Sequence, residues 1–270
     1  MGAQYAQDVR WVRFFDNLHW TAGTLMATAF AWLGVRATPA ASVRGVRWIA
    51  AGLGIYAVGQ LVWDGQTLIG YEGFATPSDF FYLWLGPCVT VGLLIESFRM
   101  ANRVQRKTLL LDAATLAIAA LTLVLVLYLP QQGSLSLPPL LLLAAYPATL
   151  FSAASIGLIA APTLRLKFTW GYWLFLAALV VTGFCWMSWN LKTLDGSPVD
   201  GIWINSLFSI SIASMGLGVL FWRFEASHSL RWERISESFL RLLPLSGPLG
   251  DVAIQNEPIQ SPSFRSRWAS

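Results

Sequence analysis

QLVWDGQTLIGYEGFATPSDFFYL, residues 60–83, is the stretch from which the chain is best read. An apolar helix ends in it, a short acidic loop crosses it, and a second apolar helix opens at Pro77, Ser78 and Asp79. That opening fits a helix N-terminus: a side-chain oxygen takes up backbone N–H groups that the helix leaves without partners, and proline's missing N–H does no harm there. Asp64 lies inside the first apolar run, where an ionisable side chain is costly unless it is partnered or wetted. It is therefore the first position to consider for function.

Around this stretch the composition is that of a membrane protein. Of the 270 residues, 56% are hydrophobic and 12% charged, with a mean hydropathy of +0.56; an ordinary soluble domain is about a quarter charged. The 14 tryptophans fit the headgroup level, where one edge of an indole is apolar and the other wet. About 20 apolar residues cross a hydrocarbon core of about 30 Å. Such windows fall at approximately 14–35, 46–69, 78–98, 109–129, 139–161, 168–190 and 202–222, which predicts an all-α polytopic fold with seven transmembrane helices. The N-terminus lacks the basic, apolar and small-residue succession of a signal peptide, so the first window is expected to persist in the mature protein.

Charge sets the orientation. Of the 18 lysines and arginines, all but Arg10, Arg13 and Lys192 fall in the loops after the first, third and fifth windows or beyond residue 222. Glu72, Asp79, Asp195 and Asp200 fall on the opposite side. The positive-inside rule then puts the N-terminus outside and the C-terminus in the cytoplasm. The predicted organisation is an N-terminal segment 1–13, a seven-helix domain 14–222, an amphipathic helix 223–243 on the cytoplasmic face, and a Pro-rich extended tail 244–270. Leu230, Trp232, Ile235, Phe239, Leu242 and Leu243 recur at helical spacing among charges in the third of these, and prolines 244, 248, 258 and 262 mark the last.

Polar residues inside the windows form the candidate site. Tyr56, Gln60 and Asp64 recur every four residues and share a helix face that has to turn away from lipid, toward neighbouring helices or a wet cavity. Asp16 and His19 share a face with Gly23; the plain reading is an interfacial cap with a hydrogen-bonded histidine. With Asp79, these residues make a candidate outer pocket of Tyr56, Gln60, Asp64, Asp79 and His19. Gly52, Gly54 and Gly59, and the stripe Ser206, Ser209, Ala213 and Gly216, suit close helix packing. Leu111 and Asp112 read as a helix opening, and Pro147 as a kink. Trp63, Trp84, Trp189, Trp203, Trp232 and Trp268 are the expected partner or lipid contacts. Cys88 and Cys185, both in apolar runs, read as buried free thiols.

Pro77-Ser78-Asp79 with Tyr82-Leu83, Leu111-Asp112 opening a helix, Ala145-Tyr146-Pro147, and residues 196–203 together resemble the multi-pass N-terminal sensory modules of bacterial GGDEF and EAL signalling proteins. The resemblance covers approximately residues 45–222 and implies a sensory module in a bacterial cytoplasmic membrane. It departs from the family after Tyr146-Pro147, where Ala148 to Phe151 stand in place of an acidic residue. It departs again at Cys185 to Met187, and in the lack of a GGDEF or EAL effector after the last window. The size and helix number also resemble accessory subunits of bacterial photosynthetic reaction-centre and light-harvesting complexes.

No nucleophile elbow, phosphate loop or HExxH is present, which speaks against an enzyme. Residues 202–222 hold no lysine for a retinal Schiff base, and His19 is the lone histidine in the windows, which disfavours bis-histidine haem. No dedicated cofactor or metal site is visible; the tryptophans suit pigment or lipid contacts. The basic residues form no single patch, so nucleic acid is not an expected partner. Two functions remain. The first, favoured on the lost effector, the lost acidic positions and the tail, is a non-enzymatic accessory subunit bound to other integral membrane subunits, such as those of a pigment–protein complex. The second is an effector-less sensor or small-ligand receptor.

Overall fold

The computed structural model describes residues 2–71, 76–131, 133, 135–167 and 169–225, with side chains from Arg10 onward. Among the described residues the chain is all-helical. The helices are α1 (Gly2–Ala37), α2 (Val43–Leu68), α3 (Pro77–Tyr82), α4 (Leu85–Met100), α5 (Arg103–Tyr128), α6 (Leu137–Thr163), α7 (Trp170–Leu194) and α8 (Trp203–Leu220), with a 3₁₀ turn at Leu129–Gln131. Six segments are long and apolar enough to cross a membrane: α2, Pro77–Met100, Arg103–Gln131, α6, α7 and α8. This is the make-up of a multi-pass membrane protein. The window at 14–35 lies within α1, which at 36 residues is about 54 Å long and so outruns a hydrocarbon core of about 30 Å.

The predicted opening at Pro77 is present, with Thr76 as N-cap and its N–H donating to Asp79 Oδ2 at 2.6 Å. The helix then breaks at Leu83 and Trp84 before α4 begins. Pro87 explains the break, because it offers no N–H to the Leu83 carbonyl one turn earlier. The expected opening at Leu111 and Asp112 is not where α5 begins. Asn102 and Gln105 form a reciprocal capping box, with Gln105 N–H to Asn102 Oδ1 at 2.9 Å and Asn102 N–H to Gln105 Oε1 at 3.0 Å, and the helix starts there. Asp112 is left fully buried in mid-helix. The amphipathic helix expected from residue 223 also needs correction at its start. α8 ends at Leu220, and Trp222–Glu225 run on as non-helical chain with Trp222 and Phe224 buried against Tyr172. The rest of that segment and the tail, with Trp232 and Trp268, lie outside the described residues.

The helices close a ring in which α1 packs on α2 and α8, α2 on α4, α4 on α6, α6 on α7, and α7 on α8. α3 packs on α2. α5 stands outside the ring against α6, and only 22% of its apolar window is buried, against 61% for α6. Where helices meet, small residues let backbones touch. A Cβ on Gly216 would run into the Ala27 backbone, and one on Gly34 into that of Val219, so the α1–α8 seam needs both glycines. Ser209 and Gly216 of the expected small-residue stripe lie in this seam, whereas Ser206 is exposed. Gly52 meets Cys88 and Gly59 meets Tyr82, while Gly54 has only ordinary contacts with α1. Both cysteines are free and buried.

Pro147 lies within α6, which continues through it to Thr163. Having no N–H, it leaves the Leu143 carbonyl without its helical partner. The buried amide of Asn190 on α7 supplies the replacement, its Nδ2 donating to Leu143 O at 2.9 Å. A neighbouring helix thus satisfies a backbone group freed by proline, as a membrane interior requires. Asn190→Leu is expected to lower stability by about 1–3 kcal/mol through the orphaned carbonyl. Most of that loss should disappear when Pro147→Ala is added, since residue 147 can then donate to Leu143; thermal unfolding of the two single variants and the double variant checks the coupling.

A candidate ligand cleft between the helices

The end of the bundle that carries Asp16, Asp64 and Asp79 holds two polar networks. The first joins α1 to the α7–α8 connection. Asp16 Oδ2 accepts the Gly201 N–H at 2.6 Å and Asn205 Nδ2 at 2.8 Å, and Asp16 Oδ1 lies 3.1 Å from His19 Nε2. His19 Nδ1 is in turn 2.7 Å from Ser209 Oγ on α8. Arg13 closes the outer edge with an ion pair to Asp200 at 2.8 Å. His19 is hydrogen-bonded as expected, whereas Asp16 lies in mid-α1 and caps no end of its own helix, binding instead to the connection before α8 through Gly201 and Asn205.

The second network begins at α1 and reaches α3. Thr21 Oγ1 donates to Asp64 Oδ2 at 2.5 Å, Gln60 Nε2 donates to Asp64 Oδ1 at 2.9 Å, and Tyr82 OH donates to Gln60 Oε1 at 2.8 Å. Helical spacing brings Gln60 and Asp64 together on α2, and the six-residue helix α3 carries Tyr82 onto them. Gln60 is the bridge, using both ends of its amide. Asp79 does two jobs: Oδ2 caps α3 through Thr76, while Oδ1 accepts the hydroxyl of Tyr146 from α6.

Between these networks lies a cleft in the middle of the ring. Trp20 and Thr24 line it from α1, Tyr56, Gln60 and Trp63 from α2, and Asp79 and Tyr82 from α3. α7 contributes Trp186 and Trp189; α8 contributes Phe208, Ser209 and Ile212. Its empty volume is about 590 Å³ with the open mouth included. The cavity proper is about 70 Å³, several times the least that one water needs. Trp186 organises the wall, stacking on Tyr146 with centroids 4.2 Å apart and meeting Phe208 and Tyr82 edge-on at 5.2 and 5.7 Å. Tyr56 and Tyr82 lie 4.8 Å apart.

The predicted pocket residues are therefore only partly united. Tyr56, Gln60 and Asp79 line the cleft; Asp64 is not a lining residue and reaches the wall through Gln60; His19 reaches it through Ser209. Trp63 and Trp189, expected at partner or lipid contacts, line the cleft, and Trp84 and Trp203 are exposed, the latter by 73%. Reasoning from sequence missed Trp20, Trp186 and Phe208 as walls, and placed Ser209 in packing alone. The one available signal was the spacing of Trp186 and Trp189, three apart and so on one helix face. Among the described residues no group of three or more His, Cys, Asp or Glu side chains forms a possible metal site.

The chain matches no family model, and it has no significant similarity to a curated protein or a solved structure. Function has to be argued from the cleft itself. If Gln60 is the bridge, Gln60→Leu leaves both the Asp64 carboxylate and the Tyr82 hydroxyl short of a partner, whereas Tyr82→Phe leaves only Gln60 Oε1 short of one, a loss of about 1 kcal/mol. Unfolding in detergent should therefore show the larger loss for Gln60→Leu. Equal losses would mean that the two ends of the amide are not both used.

Proposed function

We propose that the chain is a membrane receptor for a small molecule, taken into the cleft between α1, α2, α3, α7 and α8. One observation carries the reading: an open, largely aromatic cavity sits among the helices and presents a few fixed polar groups, Gln60, Asp79 and Ser209, which is how small-molecule sites are built. A bundle serving only as scaffold has no use for such a void, because unfilled space forfeits packing. On this reading α1 is the seventh transmembrane helix, the N-terminus is outside, and the membrane is the bacterial cytoplasmic membrane. The cleft then opens to the outside, since Arg36, Arg44, Arg99, Arg103, Arg106 and Lys107 all belong to the opposite end.

Accessory-subunit function is the second reading, and α5 favours it. Its outer face exposes Leu111, Ile118, Leu123 and Val126, and α5 belongs to no closed ring, so a neighbouring subunit's helix fits there as well as lipid does. The arguments from the tail fall on residues beyond 225, outside the described part of the chain.

Sidedness is tested with single cysteines in a Cys88→Ala, Cys185→Ala background. An impermeant maleimide on intact cells should label Asp195→Cys and spare Arg103→Cys; the reverse pattern would invert the orientation. For the receptor reading, the protein in nanodiscs is screened with small molecules by tryptophan emission, which Trp20, Trp63, Trp186 and Trp189 make sensitive to occupancy. Hits should weaken at least tenfold in Trp186→Ala and in Phe208→Ala, with helix content unchanged by circular dichroism. Hits indifferent to both substitutions would place binding elsewhere and remove the case for the cleft.

A further inference from the structure

Resting on the receptor reading, we infer that the cleft selects an organic cation, an amine or quaternary ammonium group of modest size. Three independent features of the wall converge on this. The first is the aromatic enclosure: indole and phenol rings carry a negative face, and several around one void attract a cation, most of all where water is scarce. Trp186, Trp189, Trp63, Tyr56 and Tyr82 provide those rings from three elements.

The second feature is negative charge. Asp79 lines the cleft, and Asp64 lies one hydrogen bond behind it through Gln60. The backbone N–H of Thr76 donates to Asp79 Oδ2 and the Nε2 amide of Gln60 to Asp64 Oδ1, so each side chain presents one oxygen as a fixed acceptor.

The third is a missing counter-charge. Among the described residues Asp16 has His19, Asp200 has Arg13 and Glu96 has Arg99 within ion-pair distance, but neither Asp64 nor Asp79 has a basic partner. Among the described residues no lysine, arginine or histidine lines the cleft. Carboxylates set inside a bundle normally pair with one another's opposites or mark a ligand path. Here hydroxyl and amide donors hold the two carboxylates in place and leave their charge uncompensated, which a cation in the cleft offsets. A neutral aromatic ligand gains the stacking and leaves that charge as it was. An anion adds repulsion.

The test uses the full chain in nanodiscs and three probes of one shape: benzyltrimethylammonium, its uncharged isostere with carbon in place of nitrogen, and benzylsulfonate. Binding is followed by tryptophan emission and by calorimetry. The expected result is binding of the cation at least tenfold tighter than the isostere, with no binding of the sulfonate. Asp79→Asn should cut that preference at least fivefold. Asp64→Asn removes charge behind the wall without touching the α3 cap, so it should reduce the preference too, by less, and it serves where Asp79→Asn does not accumulate. Equal affinity for cation and isostere, both weakened by Trp186→Leu, would overturn the charge inference and leave the receptor reading standing. Tighter binding of the sulfonate would overturn it in the same way. Failure of all three probes to bind a folded protein would overturn the inference and count against the cleft as a site.

Discussion

A polar side chain inside an apolar bundle has to find its partners within its own chain, and in this protein that requirement decides which helices meet. Asp64 on α2 takes a donor from α1, Thr21, and one from its own helix, Gln60. Gln60 then needs a donor for its oxygen and obtains it from Tyr82 on α3. Asp79 is fixed at one oxygen by the α3 cap and at the other by Tyr146 of α6. Four elements are therefore located relative to one another by two carboxylates. The same logic operates without charge at Asn190, which supplies α6 with the hydrogen bond that Pro147 withholds. At Asn190, which is fully buried, the bond holds against the full desolvation cost of leaving it unmade, whereas Asp64 and Asp79 are half-buried at the cleft.

The same helices connect the cleft to the opposite end of the bundle. α7 lines the cleft with Trp186 and Trp189, and near its start Tyr172 and Phe175 pack on Trp222 beyond α8. Phe224 stacks on Trp222, and its carbonyl accepts from Arg99 at 3.4 Å. Arg99 also donates to Glu96, which is fully buried, and to Ser42 at the start of α2. The Lys167 N–H donates to the Glu225 carbonyl at 2.7 Å, tying the α6–α7 connection to the same short segment. The chain leaving α8 is thus clasped by α4, α7 and the α6–α7 connection. Under the receptor reading, a ligand pressing on Trp186 and Phe208 acts on the two helices, α7 and α8, whose far ends hold this clasp.

How much of this the sequence disclosed depends on the kind of signal. Apolar windows report the hydrophobic thickness directly, so six of the predicted windows coincide with segments long and apolar enough to cross a membrane, the one at 78–98 divided between α3 and α4, while the one in α1 is less apolar than the rest. The i, i+4 spacing of Tyr56, Gln60 and Asp64 reports a shared face, and that face does turn inward. Asp112 misled because an acidic residue entering an apolar run looks like a cap; the Asn102–Gln105 box lies a few turns earlier among basic residues, where the apolar window has not yet begun. The break at Leu83 was legible in principle from Pro87. Trp186 was legible only as sharing a helix face with Trp189: its role depends on Tyr146 and Phe208, far away in the chain and brought together only by the ring order of the helices. Single-helix periodicity carries no information about that order.

The ring order also explains why one cluster of residues became a cleft instead of a core. Elsewhere the seams are narrow because glycine faces backbone, as Gly216 does at Ala27 and Gly171 at Phe221. At the Asp79 end, α3 is only six residues long and ends at Tyr82, whose ring lines the cleft. Rings of this size leave irregular gaps when they meet edge-on, as Trp186 does with Tyr82, Phe208 and Trp189. Filling the gap with aliphatic side chains would strand Asp79 and Gln60 in a dry core. Leaving it open keeps those groups wet or bound, and a hollow with aromatic walls and a carboxylate on one side is the consequence.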